Sequence, residues 1–279
     1  MEQRLVKAVK EKEHPREWAK PGGGDHEGGG QPRDWERVYR FSEQVTDTAW
    51  GDLDGDGKEE IVFGGIGGKV EAIGETGDVR WTFAAAGRVN EVTVQTLNGQ
   101  PVVFVATENW YVHALNAQGQ ELWNYKFPSD AAHRERKGNL LGITNVRVAY
   151  VNGADQPPWV MVGTQFRYIY GLDAAGKLQY EDLLYYYGIE DMEFADFDGD
   201  GKEEGMYALE YAYYTYWNEK QLTRGGTGGG PGWKVATLLN DPAFGAAPAI
   251  AFGTKQSEVR LVGYAGKLQE RWKRNVGGE

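Results

Sequence analysis

Cysteine is absent from this chain of 279 residues, which excludes disulfide bonds, zinc–thiolate sites and thiol nucleophiles. Long apolar runs are also absent, and no stretch approaches the roughly 18 apolar residues that indicate a transmembrane helix. The first residues, Met-Glu-Gln-Arg-Leu-Val-Lys, lack the apolar core of a secretory signal. The sequence therefore predicts no membrane span.

Positive charge is scarce, because 30 Lys and Arg face 41 Asp and Glu, for a net charge of −11. Nucleic-acid binding rests on clustered Lys and Arg, so this balance argues against a nucleic-acid partner. Glycine is abundant, with 40 residues, and 41% of the chain is hydrophobic. That apolar content suffices for a substantial core, and so much glycine favours many turns over long helices.

The composition changes near residue 32. Residues 1–20 are charged and favour a helix or a frayed segment, and residues 21–32 are a Gly-rich linker. From residue 33 onward the sequence repeats itself. We therefore expect a charged N-terminal segment and linker over 1–32 and a repeat domain over 33–279.

Two acidic runs share the pattern Asp-x-Asp-Gly-Asp-Gly-Lys-Glu-Glu, one beginning at Asp52 and the other at Asp196. The pattern places carboxylates at positions 1, 3, 5 and 9 of a tight turn, and the lysine carbonyl at position 7 adds another oxygen. Ca²⁺ prefers about six to eight oxygens at about 2.3–2.6 Å. The predicted calcium ligands are Asp52, Asp54, Asp56, Lys58 and Glu60 in the first loop and Asp196, Asp198, Asp200, Lys202 and Glu204 in the second.

These runs are not EF-hands, since the position of the bidentate Glu is Phe63 in one and Tyr207 in the other. Asp and Gly also favour turns that bind no ion. We favour calcium because clustered carboxylates repel one another unless a cation compensates, and because the same layout occurs twice. The expected role of each ion is structural, since the loop itself supplies most of the oxygens.

A second pattern consists of an apolar strand, a turn with glycine and a strand with an aromatic residue. It runs from Val70 through Gly77 to Trp81, and it returns around Gly119 and Gly176. The spacing describes a β-hairpin whose turn requires a positive φ. Four short strands per roughly 40–50 residues is typical of a β-propeller blade. The sequence therefore predicts an all-β propeller of about five four-stranded blades, near residues 44–83, 89–126, 143–184, 189–224 and 232–276.

Two segments depart from this pattern. The outer strand of the fourth predicted blade is short or missing, because the Gly-rich run 225–230 follows Trp217 closely. Residues 35–41 resemble an outer strand without the rest of its blade. This second departure favours a larger propeller, of which these blades would be a part.

Polar residues recur near the start of the predicted inner strands, at Asp47, Glu91, Asn145 and Asp191. Inner strands surround the channel of a propeller, so these side chains are expected to form a ring at one mouth, where a ligand could bind. Inner strands can also begin with polar residues simply because the mouth is wet. The negative charge of the ring favours cations, amines or sugar hydroxyls over anionic polymers.

Two aromatic residues are candidates for stacking on a sugar at the same mouth, namely Tyr186 and Trp110. Packing in the core is the favoured interpretation, because aromatics are common core residues of sheets. The connection 127–142 carries His133 and three cationic residues, which could serve a lyase as base and carboxylate partner. An ordinary charged surface loop is the favoured explanation of these residues.

The acidic runs resemble FG-GAP or VCBS repeats, the calcium-loop blades also found in integrin α-subunits. The hairpins that end at Trp123 and Tyr180 resemble PQQ-like, quinoprotein-type blades. The resemblance covers residues 33–279 and implies a β-propeller with two Ca²⁺ sites. Similar calcium-loop propellers carry some rhamnogalacturonan lyases and many secreted polysaccharide-handling proteins. This chain is shorter than those lyases and departs from both patterns in blades three and five, so their activity does not follow.

We therefore expect a calcium-stabilised binding or scaffold module that recognises a glycan or a protein outside the cytoplasm, in an extracellular or periplasmic setting. The alternative is a polysaccharide lyase or glycoside hydrolase acting at the channel mouth. A quinoprotein dehydrogenase is less favoured, because only the hairpins match and the chain has no redox cysteine pair.

Overall fold

The computed structural model describes residues 6–9, 36–39, 41–128, 142–166, 168–183, 188–210, 214–218, 221–225, 233–240, 247–254 and 257–277. Over these residues the protein is all-β, as predicted, with 22 strands. Among them, no helix is long and apolar enough to cross a membrane. Tyr186 and the basic residues 133–137 lie outside the described residues.

Five four-stranded antiparallel sheets follow one another along the chain, each with its strands in sequence order. Blade 1 contains β3 (Val45–Gly51), β4 (Glu60–Gly65), β5 (Lys69–Ile73) and β6 (Val79–Ala84). Blade 2 contains β7 (Val89–Leu97), β8 (Gln100–Thr107), β9 (Tyr111–Leu115) and β10 (Glu121–Lys126). Blade 3 contains β11 (Ile143–Ala149), β12 (Trp159–Thr164), β13 (Tyr168–Leu172) and β14 (Leu178–Leu183).

Blade 4 contains β15 (Ile189–Ala195), β16 (Glu204–Leu209), β17 (Tyr214–Asn218) and β18 (Gln221–Gly225). Blade 5 contains β19 (Trp233–Leu239), β20 (Ala249–Thr254), β21 (Glu258–Tyr264) and β22 (Leu268–Asn275). A separate two-stranded sheet pairs β1 (Val6–Val9) with β2 (Glu36–Tyr39).

The outer strand of blade 4 is short, one of the two expected alternatives: β18 has five residues and pairs with β17 from Gln221 to Gly225. One local expectation was wrong. The N-terminal segment is extended at Val6–Val9, where a helix or frayed chain was expected, because it pairs antiparallel with Glu36–Tyr39. A partner strand supplies the backbone hydrogen bonds that local helix formation would otherwise satisfy.

The five sheets are the blades of a β-propeller. Their inner strands contact one another in chain order, β3 with β7, β7 with β11, β11 with β15 and β15 with β19. In the described part of the chain, β19 makes no extensive contact with β3. The described blades therefore form an arc, with one face of blade 5 left without a neighbouring blade.

The hydrophobic core lies between adjacent blades. Between blades 1 and 2, for example, Val62 and Val70 pack in one cluster with Val92 and Val103, and all four are at most 3% exposed. Comparable clusters fill the next three junctions. Complete burial of such side chains stabilises by about 1.5–3 kcal/mol each, so blade stacking is the main source of stability.

The recurring aromatic residue of the hairpin joins one blade to the next. This residue occupies the same register in blades 1, 2, 3 and 5, and we call it the clasp position. The pairs are Trp81 opposite Ala72, Trp123 opposite Ala114, Tyr180 opposite Gly171 and Trp272 opposite Leu261. Nε1 of Trp81 donates to the carbonyl of Ala117 at 2.9 Å, and Nε1 of Trp123 donates to that of Ala174 at 3.0 Å. Each indole thus reaches the turn of the following blade.

Candidate functional site

The first acidic loop connects β3 to β4 and is organised around Asp52. The backbone N–H groups of Gly55 and Gly57 donate to its two carboxylate oxygens at 2.7 and 2.9 Å. Both glycines have positive φ, 79° and 81°, which an L side chain rarely adopts. This backbone wraps the loop around the Asp52 carboxylate.

Glu60 closes the same loop from the first position of β4. It is only 2% exposed, and its Oε2 accepts a hydrogen bond from the backbone N–H of Leu53 at 2.9 Å. Oxygen atoms of Asp52, Asp54 and Glu60 lie within 4.8 Å of one another. Three carboxylates at this separation form a donor set that suits a hard cation.

The second acidic loop repeats this geometry between β15 and β16. Gly199 and Gly201 donate to Asp196 at 2.7 and 3.0 Å, and Phe197 donates to Glu204 at 2.9 Å. Oxygen atoms of Asp196, Asp198 and Glu204 again lie within 4.8 Å of one another. Burial, together with the neighbouring aspartates, raises the pKa of Glu204 to about 8.

The remaining predicted ligands lie in the loops but outside the two groups of closely spaced carboxylates. Asp56 and Asp200 each accept a hydrogen bond from the N–H of the following lysine, at 2.8 and 2.9 Å. The side chain of Lys58 pairs with Glu75 at 2.7 Å, so it points to the neighbouring turn. The carbonyl oxygens of Lys58 and Lys202 remain predicted ligands.

A second cluster lies along the inner strands, where the structure places the predicted polar ring. In every blade, the pairing of the inner strand with the next strand shifts register at the second residue of the inner strand. In blades 1 to 4, the residue directly after this shift is a predicted ring residue. The four ring residues Asp47, Glu91, Asn145 and Asp191 are therefore equivalent in register, while blade 5 has Val235 at this position.

Three of these side chains bind the backbone of the next blade. Asp47 accepts from the N–H of Val92 at 2.9 Å, and Glu91 accepts from the N–H of Val146 at 2.6 Å. Asp191 accepts from the N–H of Ala236 at 2.9 Å. The acidic ring thus links neighbouring inner strands, a structural role that the sequence did not indicate.

Arg147, one of two further residues that sequence reasoning missed, lies at the centre of this cluster. Its Nη1 lies 2.6 Å from Glu91 and its Nη2 lies 3.1 Å from Asp191. The carboxylate of Glu193 lies 3.9 Å from Nε of the same guanidinium. Arg147 and Glu193 each follow a ring residue by two positions, which is the signal in the sequence that could have identified them.

The cluster is partly buried, and the pKa values of its carboxyl groups are raised. Burial raises the pKa of Glu91 and that of Glu193 to about 7, against the opposing effect of Arg147. Burial also raises the pKa of Asp47 and of Asp191 above the ordinary value. Three carboxyl groups, those of Glu91, Asp191 and Glu193, lie within 4 Å of this guanidinium, and the pKa of two of them, Glu91 and Glu193, is close to neutral pH.

Asn145 and Trp110 are less accessible than the sequence suggested. Asn145 is 5% exposed, and its Nδ2 lies 3.4 Å from Asp191. Trp110 is 6% exposed and belongs to the core between blades 2 and 3. Its side chain is therefore unavailable for stacking on a sugar in this conformation.

Comparison with known proteins supports the propeller. The family described as the λ-carrageenase β-propeller domain matches residues 41–122, which span blade 1 and most of blade 2, including the first acidic loop. No curated protein matched the chain in sequence.

Solved structures with a similar fold include BBS1N in complex with ARL6DN, from crystals soaked with mercury or with lead. The mercury-soaked structure matches with a TM-score of 0.58 and 14% identity, over 79% of this chain and 66% of that chain. The lead-soaked structure matches with a TM-score of 0.62 and 14% identity, over 85% of this chain and 70% of that one. This chain thus spans slightly less than two thirds of the chain in the mercury-soaked structure and slightly more than two thirds of the chain in the lead-soaked structure. At such low identity the likeness shows the fold alone, and that fold is a β-propeller.

Proposed function

We propose that this protein is a calcium-stabilised β-propeller module that binds polysaccharide outside the cytoplasm. The observation that carries the proposal is the pair of acidic loops, which place three carboxylates within 4.8 Å at equivalent points of blades 1 and 4. Calcium bound there would hold each inner strand to the strand that follows it. Calcium sites of modest affinity fill readily where calcium is plentiful, which favours an extracellular or periplasmic setting.

Polysaccharide is favoured as the ligand because residues 41–122 match a domain of a carrageenase, an enzyme named for a polysaccharide. A protein ligand is the other option, since the similar propeller BBS1N is seen in complex with ARL6DN. The two options are separated by direct binding. The experiment is affinity electrophoresis in gels that contain sulfated, carboxylated or neutral polysaccharide, run with calcium and with chelator. If the proposal holds, at least one of these polysaccharides should retard the protein.

The metal half of the proposal is tested separately by thermal unfolding. Calcium added to the chelator-treated protein should raise its melting temperature, because an ion that binds only the folded form stabilises it. A melting temperature unchanged by calcium would refute the calcium sites, and binding of no polysaccharide would refute the assigned ligand.

An enzyme acting at the channel is the second candidate, and one observation favours it. Glu193 is a partly buried carboxyl beside Arg147 with a pKa of about 7, which suits a general acid or base at neutral pH. A lyase would use Arg147 to offset the charge of a uronate and Glu193 to move a proton. Incubation with polyuronates, followed by ultraviolet absorbance of unsaturated products, tests the lyase, and loss of that absorbance in Glu193→Gln would assign the proton transfer.

A further inference from the structure

Arg88 lies directly before β7, at the end of the inner strand where the channel mouth opens. Its backbone is held by Glu108. The carbonyl of Arg88 accepts a hydrogen bond from the N–H of Glu108 at 3.0 Å, and the N–H of Arg88 donates to Oε1 of the same residue at 3.3 Å. These two hydrogen bonds hold the start of the Arg88 side chain beside the mouth.

The guanidinium of Arg88 contains a buried donor without an acceptor. Its Nε is inaccessible to solvent and has no hydrogen-bond partner in the part of the chain that the structure describes. Arg147 and Arg260, by contrast, each lie within 3.1 Å of two carboxylates. Buried polar groups of native proteins almost always have a partner, so the exception at Arg88 points to a partner that the chain does not itself supply.

Buried oxygen atoms without a partner occur at the same mouth. Among the described residues they are Oδ1 of Asn109, Oγ1 of Thr144 and Oδ1 of Asn145. The amide of Asn109 lies against Gly87, 2.7 Å from where a Cβ of Gly87 would be. Nδ2 of Asn90 donates to the carbonyl of Ile143 at 2.7 Å, directly before Thr144. These contacts join the segment of Arg88 to the segments that carry the oxygen atoms.

We propose that Arg88 binds a sulfate or carboxylate group of an anionic polysaccharide at the channel mouth. A planar guanidinium can donate two parallel hydrogen bonds to either group. Sugar hydroxyl groups both donate and accept, so they suit the oxygen atoms of Asn109 and Thr144 beside it. This inference rests on the proposed function for the class of ligand, and it adds the charge of the ligand and the residue that recognises it.

The acidic ring alone would favour cations, but its carboxylates already have partners. Glu91, three residues after Arg88, accepts from the N–H of Val146 and from Arg147, both at 2.6 Å. Asp191 likewise lies 3.1 Å from Arg147. The nearest ring carboxylate in the sequence is therefore engaged by blade 3, which leaves Arg88 available to a ligand.

The test measures binding of the intact chain to λ-carrageenan (sulfated), polygalacturonate (carboxylated) and a neutral galactan, by affinity electrophoresis and titration calorimetry at constant calcium. Arg88→Met should weaken binding of an anionic polymer about tenfold or more, since a hydrogen bond to a charged group is lost. Arg88→Lys should weaken it less, because it keeps the charge but loses the planar pair of donors. Sulfate and carboxylate are told apart by which anionic polymer binds.

The matched control is Lys273→Met, which removes one positive charge from β22 in blade 5 and should leave binding nearly unchanged. Urea unfolding provides a second control. Arg88→Met should unfold at the wild-type urea concentration, because Nε of Arg88 has no internal hydrogen bond to lose. A clear loss of stability would show that Arg88 has a structural partner, and it would overturn the site.

The binding outcomes separate this inference from the proposed function. Anionic-polymer binding that survives Arg88→Met, or that falls equally in Lys273→Met, overturns the Arg88 site and leaves the proposed function standing. A wild-type chain that binds only the neutral galactan does the same. No binding of any polysaccharide by the wild-type chain overturns both.

Discussion

Nε1 of Trp81 donates a hydrogen bond to the backbone carbonyl of Ala117 at 2.9 Å, which ties the outer strand of blade 1 to a turn of blade 2. The ring of Trp81 also lies over Gly119, where an added Cβ would be 2.5 Å from ring carbon Cδ2. Gly176 stands in the same relation to Trp123, at 2.6 Å. Gly119 and Gly176 therefore serve both their own hairpin turns and the contact with the neighbouring blade.

Gly119→Ala should destabilise the protein by about 2–4 kcal/mol, because it combines strain at a φ of +74° with a collision against Trp81. Gly77→Ala is the matched control, since Gly77 occupies the same turn position of blade 1 at a φ of +88° with open space around it. The control should cost only about 1–2 kcal/mol of backbone strain. Urea unfolding of both variants measures the difference, and equal losses would show that the indole contact is unimportant.

The hairpin pattern could be predicted from the sequence, but only one of the two reasons for its glycine could be predicted. A glycine four residues before an aromatic indicates a turn with positive φ, and Gly77, Gly119 and Gly176 all have one. The contact with Trp81 is invisible in the sequence, because it joins positions of two different blades. For the same reason the pairing of β1 with β2 was missed, since 26 residues separate Val9 from Glu36.

Stability should fall as the pH rises through 7, because partial burial raises the folded pKa of Glu193 to about 7, above its ordinary value of 4.5. The folded state then holds the proton more tightly than the unfolded state, so its advantage is complete at low pH and is lost at high pH. Glu193→Gln removes this titration. The variant should match the wild type at pH 5 and exceed it by about 1–3 kcal/mol at pH 8.5, since one pKa unit corresponds to about 1.4 kcal/mol.

Unfolding free energies of the two proteins between pH 5 and 8.5, at constant calcium, provide the measurement. Glu258→Gln is a useful control, because the pKa of Glu258 is lowered by its hydrogen bond to Arg260. That variant should not gain stability at high pH. A Glu193→Gln profile parallel to that of the wild type would show that Glu193 does not titrate in this range.

Arg147→Met should destabilise the protein by about 3–5 kcal/mol at pH 8, because it leaves the buried carboxylates of Glu91 and Asp191 without their cation. The loss should shrink towards pH 5, because Glu91, whose pKa is about 7, takes up a proton there. Lys273→Met removes a half-exposed lysine that lies 3.9 Å from Glu258, and it should change stability by less than about 0.5 kcal/mol. Equal effects of the two substitutions in urea unfolding would contradict a central role for Arg147.

The inner-strand cluster shows what sequence spacing can and cannot reveal. The recurrence of Asp47, Glu91, Asn145 and Asp191 placed them correctly in equivalent registers. Their partners are backbone N–H groups of another blade, about 45–55 residues away, and every residue has such a group. Arg147 follows Asn145 by two positions, which places both residues on one side of the strand, but only the fold brings Arg147 between Glu91 and Asp191.

The two acidic loops should bind calcium independently, and substitution of one aspartate in each separates them. Asp54→Asn and Asp198→Asn each remove one carboxylate from a group whose oxygens lie within 4.8 Å of one another. Each variant should lose about half of the calcium-dependent rise in melting temperature, and the double variant should lose nearly all of it. An ion at 100 times its dissociation constant stabilises by about 2.7 kcal/mol per site, so the effect is readily measured.

Asp155→Asn is the matched control, because Asp155 lies in the corresponding loop of blade 3, between β11 and β12, which lacks the acidic pattern. It should keep the full calcium response, which excludes a general effect of removing negative charge. Magnesium at equal concentration should stabilise less than calcium, because it demands near-ideal octahedral geometry and gives up its water reluctantly. If the double variant responds to calcium as the wild type does, the ion binds elsewhere and the acidic loops are turns held by their own backbone hydrogen bonds.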